Sequence, residues 1–423
     1  MKICLSAYAC EPARGSEMGI GWNWALTLAE MGHEVLVVTR AARGKAEAID
    51  AAVGDLPEAV RQRLRFIYYD FQPGGYADSK KQRMKQLRYI LWQRRIKKIV
   101  APILAEESFD LVHHITFGST RFGSKLDGLG IPFVFGPVGG VEHAPRSLRE
   151  NYSFNARISE TLRDISNGLI AFSPAVRRTI RKSLVAAAKT PETLEVLKRY
   201  NPDASLIAPE IGVRITPDRP RTTWGSAQAR DQPGRRVKLI FAGRLLHWKG
   251  LNVAIAAFAK AREERNDIDF TIVGVGPERG RLRELAEDLK VADKIAWVDW
   301  LPQEELFARF AEHDALFFTS LHDSSGNVIL ESMEQGLPVV CLKLGGPGVI
   351  VNDRTGWSID TDGKSYEQVT WEVAQVLVDL ARDPEQLERK GAAAQAEARE
   401  QTWSYVVKAL YDVIAAKLPT KVL

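Results

Sequence analysis

Two cations stand five positions apart in the run Gly243-Arg244-Leu245-Leu246-His247-Trp248-Lys249-Gly250. Arg244 offers a planar fork of donors and Lys249 a point charge, a combination that suits a bound phosphate or diphosphate. Glycines at both ends let backbone come close to such a ligand. A second run reads Leu321-His322-Asp323-Ser324-Ser325-Gly326-Asn327-Val328-Ile329-Leu330-Glu331. Ser324 or Ser325 is a good helix N-cap. The amides of Gly326, Asn327 and Val328 are then free at the positive end of a helix, where an anion is favoured by about 0.3–1 kcal/mol. Asp323 ahead of the helix and Glu331 within it can reach one hydroxyl-rich ligand from two sides. Taken singly, each run has a plainer reading: two solvated cations in a βα loop, and a capped core helix with an exposed Glu331.

The elements that must position these groups follow from an alternation of short apolar runs with helical patterns. Strands are predicted over 2–8, 34–40, 64–70, 110–116, 132–136 and 168–172, with helices over 17–31, 83–105 and 175–184 among them. The segment 214–236, with three prolines, two glycines, many charges and no periodicity, reads as a linker. The alternation resumes with strands over 237–243, 270–274, 294–298, 315–319 and 338–342 and helices over 251–265, 278–289, 303–311 and 327–335. This is an α/β pattern of two doubly wound parallel sheets. The division is a first domain over 1–213, a linker over 214–236, a second domain over 237–400 and a terminal helix over 401–423. The helical tail either completes the second domain or crosses back to the first. Ligands of such sheets bind beyond the C-terminal strand ends, which places the expected site in a cleft between the two domains.

Composition narrows the function classes. At about 150 residues per domain, 423 residues give two or three domains. No apolar run approaches the roughly 18 residues of a membrane span. The apolar start of the chain stands at the bottom of the signal-peptide range, with Glu11 following at once, and fits a first strand better, so a cytoplasmic location is expected. Cys4, Cys10 and Cys341 lack ligand spacing and cannot all pair. A net charge of +5 gives no support for nucleic acid as a partner. Asp267-Ile268-Asp269 and Asp360-Thr361-Asp362 resemble metal-binding pairs but read as turn chemistry, and no metal or other cofactor is expected. Gly274-x-Gly276-x-x-x-Gly280 with Asp299 imitates a dinucleotide fingerprint at looser spacing. It leaves the two charged loops unexplained, so an NAD(P)-dependent oxidoreductase is a minor alternative. A non-catalytic binder of nucleotide sugars or glycans is a second.

Together the runs resemble the signature of the retaining GT-B glycosyltransferases of family 4. The matching residues are Gly243-Arg244-Leu245 with Lys249-Gly250, and Glu331 followed by Gly336-Leu337-Pro338-Val339-Val340. Further matches are Val273-Gly274-Val275-Gly276-Pro277, Trp300-Leu301-Pro302, Gly345-Gly346 and Gly32-His33-Glu34-Val35. The resemblance implies a GT-B fold and transfer of a sugar from a nucleotide-diphosphate-sugar donor to a glycan or lipid-linked acceptor. It implies that Arg244 and Lys249 hold the diphosphate, with Gly243 and the amides of Gly326, Asn327 and Val328 beside it. Glu331 would take the ribose hydroxyls, and Val298 and Leu301 would border the base. Gly15, Ser16, Glu17 and Gly19 would face the donor sugar or acceptor, with Gly139 and Gly140. Two positions depart from the pattern. Asp323 replaces the leading Glu with an arm shorter by one methylene, roughly 1.3–1.5 Å. The histidine that many members carry after the fifth strand is also absent, leaving His143 or backbone in that role. His113 and His114 face opposite ways at a strand end. At most one lines the cleft, with His114 the candidate, and packing or hydrogen bonding is the leading role for both.

The segment 80–98 carries nine Lys and Arg and no acid. Tyr89, Trp92, Ile96, Ile99, Val100 and Ile103 form one stripe on its helical wheel, while Ile90 and Leu91 fall on the basic side. This reads either as a helix packed on the sheet or as a surface for an anionic membrane carrying a lipid-linked acceptor.

Overall fold

A computed structural model describes residues 1–12, 16–40, 44–70, 82–170, 173–215 and 236–419. Its residues cluster into two units. One comprises Met1–Val141, Ser166–Ile211 and Trp403–Leu423, and the other Glu142–Ile165 and Gly212–Thr402. The clustering groups 142–165 with the second unit and Trp403–Leu423 with the first. Most of the predicted linker lies outside the described residues.

The first unit holds β1 (Lys2–Ser6), α1 (Ser16–Glu30), β2 (Glu34–Thr39), α2 (Lys45–Gly54), α3 (Glu58–Arg61), β3 (Leu64–Tyr68), α4 (Gln82–Glu106), β4 (Leu111–His114) and β5 (Phe133–Val138). Then come α5 (Phe154–Ile170), α6 (Pro174–Lys182), β6 (Val185–Ala188), α7 (Pro191–Lys198) and β7 (Ser205–Ile207). The units divide within α5, between Ile165 and Ser166. The sheet is parallel, in the order β3-β2-β1-β4-β5-β6-β7. Residues 2–6 are thus a strand paired on both sides, as a fully buried apolar run should be. The strand predicted over 168–172 is not formed. Residues 168–170 are instead the last turn of α5, and 171–172 lie outside the described residues. The strand role passes to the alanine-rich β6, whose partners β5 and β7 override the helical preference of alanine.

On α4, Tyr89, Trp92, Ile96 and Val100 are buried in the core under the sheet, each worth roughly 1.5–3 kcal/mol. Trp92 also donates its indole N–H to the Tyr69 carbonyl at 2.9 Å. This removes Trp92 from any membrane-facing role. Arg88 is buried, whereas Arg94, Arg95 and Lys98 are exposed, and Lys80 and Lys81 lie outside the described residues.

The second unit continues with β8 (Val237–Ala242), α8 (Leu251–Glu264), β9 (Ile268–Val273), α9 (Arg279–Asp288), β10 (Ile295–Val298), α10 (Gln303–Ala311), β11 (Ala315–Phe318) and α11 (Asn327–Glu334). After these come β12 (Val339–Leu342), α12 (Gly345–Ile350), β13 (Gly356–Ile359), α13 (Tyr366–Arg382) and α14 (Pro384–Glu400). Its parallel sheet has the order β10-β9-β8-β11-β12-β13, the last strand not being anticipated. Ser365 caps α13 in a capping box with Gln368. The last helix, α15 (Trp403–Lys417), clusters with the first unit, where the Tyr411 hydroxyl meets His113 Nδ1 at 3.0 Å. Cys4, Cys10 and Cys341 are free and buried.

Candidate active site

In a doubly wound sheet the strand order reverses at one place, and the two loops leaving the C-terminal strand ends there diverge to leave a ligand site. In the second unit the reversal falls between β8 and β11. The loops leaving those strands are the two charged runs. Glycine lets them and their neighbours pack backbone to backbone. A Cβ on Gly250 would stand 2.0 Å from the Thr319 carbonyl oxygen, and one on Gly274 would stand 1.9 Å from that of Gly243. Gly345 and Gly346 approach the carbonyls of Asp323 and Ser325 in the same way. Leu321 N–H donates to the Trp248 carbonyl at 2.8 Å, and Gly346 N–H to that of Asp323 at 2.7 Å. Gly274 and Gly276 are therefore explained by loop packing rather than by a dinucleotide.

On this base Lys249 Nζ donates to Asp323 Oδ2 at 2.5 Å and lies 4.9 Å from the centre of the Phe318 ring. Burial raises the Asp323 pKa, but the Lys249 charge together with hydrogen bonds from Lys249 and Ser320 holds the carboxyl below its usual range. An ammonium has three donors, so Lys249 keeps two for another anion. Arg244 is exposed, and among the described residues its guanidinium meets no hydrogen-bond or ion-pair partner. Neither serine caps α11. Its N-cap is Gly326, in the left-handed region at φ 97° and without a side-chain cap. The amides of Asn327 and Val328 open the helix, and Ile329 N–H already returns to the Gly326 carbonyl. One turn on, Gln303 Nε2 donates to Glu331 Oε1 at 3.0 Å. Glu331 is half-buried, and desolvation raises its pKa despite this bond. Val298 ends β10, and Leu301 lies between it and α10, both partly exposed. The site thus combines an exposed guanidinium, a carboxylate-anchored ammonium, an uncapped helix start and a carboxylate with an amide beside it. Such a set can hold a diphosphate next to a polyhydroxylated group.

The two Asp-x-Asp runs serve local structure. Asp267 pairs with Arg265 and Asp269 with Arg236, while Asp360 accepts from the Asp362 amide in a turn. Among the described residues no group of three or more His, Cys, Asp or Glu is arranged to hold a metal ion.

In the first unit the reversal lies between β1 and β4. Glu17, in the first turn of α1, accepts the Phe117 N–H at 2.6 Å from the loop after β4. Phe117 adopts a left-handed φ of 54°, uncommon for a bulky residue. Desolvation raises the Glu17 pKa, with the Lys189 charge acting against it. Gly19 is buried. Gly139 N–H donates to the Gly118 carbonyl, and a Cβ on Gly140 would meet Ser119 Oγ at 2.6 Å. Gly15 and the Ser16 side chain lie outside the described residues. His114 is fully buried between Ser6 Oγ at 3.2 Å and Tyr89 Oη at 3.0 Å, and burial pushes its pKa down to about 3. That is an interior hydrogen-bonding position, not one open to a ligand. His113 holds the Gly136 carbonyl at 2.6 Å on the opposite face. His143 is exposed, within the segment that clusters with the second unit.

Sequence reasoning passed over Glu160 on α5. Its Oε1 lies 3.0 Å from His247 Nε2 and 3.1 Å from His322 Nε2, and its side chain is 2% exposed. No linear signal marks it, because its partners stand 87 and 162 positions away. Gln303 was likewise read only as the start of a helix.

Comparison with known proteins gives the family and the fold. Residues 225–395 match the family Glycosyl transferases group 1, and residues 22–191 match the Glycosyl transferase 4-like domain. The chain belongs to the group 1 glycosyl transferases, and its two parallel-sheet units have the GT-B fold. It is similar to the D-inositol 3-phosphate glycosyltransferase of Corynebacterium diphtheriae, 30% identical over 72% of this chain and 70% of the relative. The protein of that name from Corynebacterium glutamicum is 26% identical over 93% of this chain and 90% of its own. Among solved structures, sucrose-phosphate synthase from Thermosynechococcus elongatus aligns with a TM-score of 0.66 at 15% identity, covering 98% of each chain. Anabaena Alr3699/HepE in complex with UDP and glucose aligns with a TM-score of 0.59 at 16% identity, covering 98% of this chain and all of the other.

Proposed function

We propose that this glycosyltransferase moves a sugar, with retained anomeric configuration, from a nucleotide-diphosphate sugar to a glycan or lipid-linked acceptor without a metal ion. The observation that carries the reading is the Lys249–Asp323 pair, which joins the loop that holds Arg244 to the loop that opens α11 at the strand reversal of the second unit. The resemblance to family 4 and the UDP held by a structural neighbour support this choice of donor. Glu331, steadied by Gln303, takes the ribose hydroxyls. We assign acceptor recognition to the first unit, through Glu17 in the first turn of α1 and Gly139 and Gly140 just beyond β5.

In the reaction the bond from the anomeric carbon to the β-phosphate oxygen breaks and the acceptor hydroxyl forms its bond on the same face. The hydroxyl proton passes to the departing phosphate oxygen. Negative charge grows on the diphosphate, where Lys249, Arg244 and the α11 amides are already aimed, so little reorganisation accompanies it. Asp323 orients Lys249 and, in this reading, stands beside the transferred sugar.

Screening UDP-, GDP- and ADP-sugars for transfer and slow donor hydrolysis tests the reading. One donor class should turn over, with unchanged rate in EDTA and an α-to-α or β-to-β outcome by proton NMR. Loss of turnover in EDTA restored by Mn²⁺ would refute metal independence, and binding without any turnover would favour a non-catalytic binder. We also propose that exposed Arg94, Arg95 and Lys98 on α4 touch an anionic membrane surface where a lipid-linked acceptor lies. Flotation with vesicles should then depend on anionic lipid, and equal flotation with neutral vesicles counts against it.

A further inference from the structure

Glu160 is a buried charge that the donor reading leaves unused. Glu160 sits on the inner face of α5, beside buried Ala156, while Phe154, Ile158 and Leu162 of the same helix are exposed. One carboxylate oxygen serves two rings, His247 at 3.0 Å and His322 at 3.1 Å, and its other oxygen is buried with no hydrogen-bond partner among the described residues. Burying a carboxylate with half its acceptor capacity unmet costs stability, so a packing role alone explains it poorly. The two rings belong to the two charged loops. His247 lies between Arg244 and Lys249, and His322 directly precedes Asp323. Trp248 stacks on His322 at 5.3 Å and 22°, and Tyr152, from the same segment as Glu160, packs edge-on to His247 at 5.2 Å. A carboxylate can only accept, so both rings must carry their proton on Nε2. Those nitrogens spend their protons on one oxygen and offer no lone pairs to a metal.

We infer that Glu160 is a positioning residue for the donor site: it ties the loop of Arg244 and Lys249 to the loop of Asp323 through His247 and His322. The inference rests on the donor reading above. Without Glu160 the two loops keep the Lys249–Asp323 pair but lose the common anchor behind it, so the site must be ordered by the donor itself. That cost falls on donor binding before it falls on the bond-breaking step.

The experiment uses the full chain with Glu160→Ala and Glu160→Gln, comparing kinetics with the preferred donor and nitrogen-15 NMR of the imidazoles without donor. Glu160→Ala should raise the donor KM at least about tenfold, the scale of hydrogen bonds to a charged group. Its acceptor KM should stay unchanged and its kcat should fall less than its affinity. Glu160→Gln keeps a carbonyl oxygen for both rings and should recover most of the affinity. Both histidines should show the Nε2–H tautomer in the wild type and in Glu160→Gln. Unchanged donor KM in both variants of an active enzyme, or a fall in kcat alone, overturns the role of Glu160 while leaving the donor reading intact. If Glu160→Ala does not fold, a donor KM for Glu160→Gln as poor as that of a His247→Ala, His322→Ala double variant overturns it. A wild type that binds no sugar nucleotide removes the donor reading, and this inference with it.

Discussion

Lys249 and Asp323 meet at 2.5 Å although 74 positions separate them, and each leaves the end of a different strand at the point where the sheet order reverses. The contact joins the two charged runs that the sequence presents separately. It also orients an ammonium whose remaining donors are available to a ligand.

Lys249→Ala should therefore lower turnover by about 10²-fold or more, as loss of a preorganised charge on a leaving group does. Lys249→Arg should not restore it, because a fork of donors cannot reproduce a point charge held by Asp323. Single-turnover rates at saturating donor check this. Near-normal rates in Lys249→Ala exclude the proposed role.

Glu331 offers a contrast between stability and binding. Its folded pKa is raised by desolvation, so ionisation at neutral pH disfavours the native state. Glu331→Gln should raise the denaturant midpoint at pH 7, and the gain should vanish as pH falls through the ordinary carboxylate range near 4.3. The same variant should bind donor about tenfold more weakly. Unfolding curves at several pH values and donor titrations check both halves. A midpoint that falls at pH 7 contradicts the first.

Two glycines separate loop packing from helix preference. A methyl at Gly274 would collide with the Gly243 carbonyl, and its φ of 145° disfavours any side chain. Gly280, inside α9, has open space around its Cβ position. Gly274→Ala should destabilise the protein and weaken donor binding together. Gly280→Ala should stabilise by about 0.5–1 kcal/mol with kinetics unchanged. Thermal unfolding and donor KM for the pair provide the check.

His113 and His114 make stability depend on acid. Burial is the main cause that pushes them down to about 4 and about 3, so both are neutral in the native state. Their unfolded values lie near 6.5. Their contribution is complete above that value and is lost as pH falls from it toward the folded pKa values, with a slope of up to about 1.4 kcal/mol per pH unit for each ring. His113→Asn should be less stable at pH 7 and should lose stability more slowly between pH 6.5 and 5. Equal slopes in wild type and variant argue against a neutral buried ring.

The sheets and the donor loops were legible in sequence because they depend on neighbours in the chain: apolar runs end in glycine, then charges, then a helix. What escaped reading depends on distant partners. The alanines of β6 carry no strand preference and become a strand only between β5 and β7. In α5 the apolar residues follow helical spacing but face outward, while Glu160 faces in, so the usual rule for assigning faces misleads. The division of the units at Val141 and again at Ile165 has no compositional mark. Asp323 was found as a departure from a pattern, and its place beside Lys249 gives that departure a partner.

The final helix completes the first unit, with Tyr411 hydrogen-bonded to His113 from 298 positions downstream. A ribosome adding about 5–20 residues per second needs roughly 15–60 s to cover that distance. Throughout that interval the amino-terminal sheet has no Tyr411 to shelter its central imidazole. Its packing is complete only once position 411 has been made, so fragments that stop short of α15 should be less stable than the whole chain.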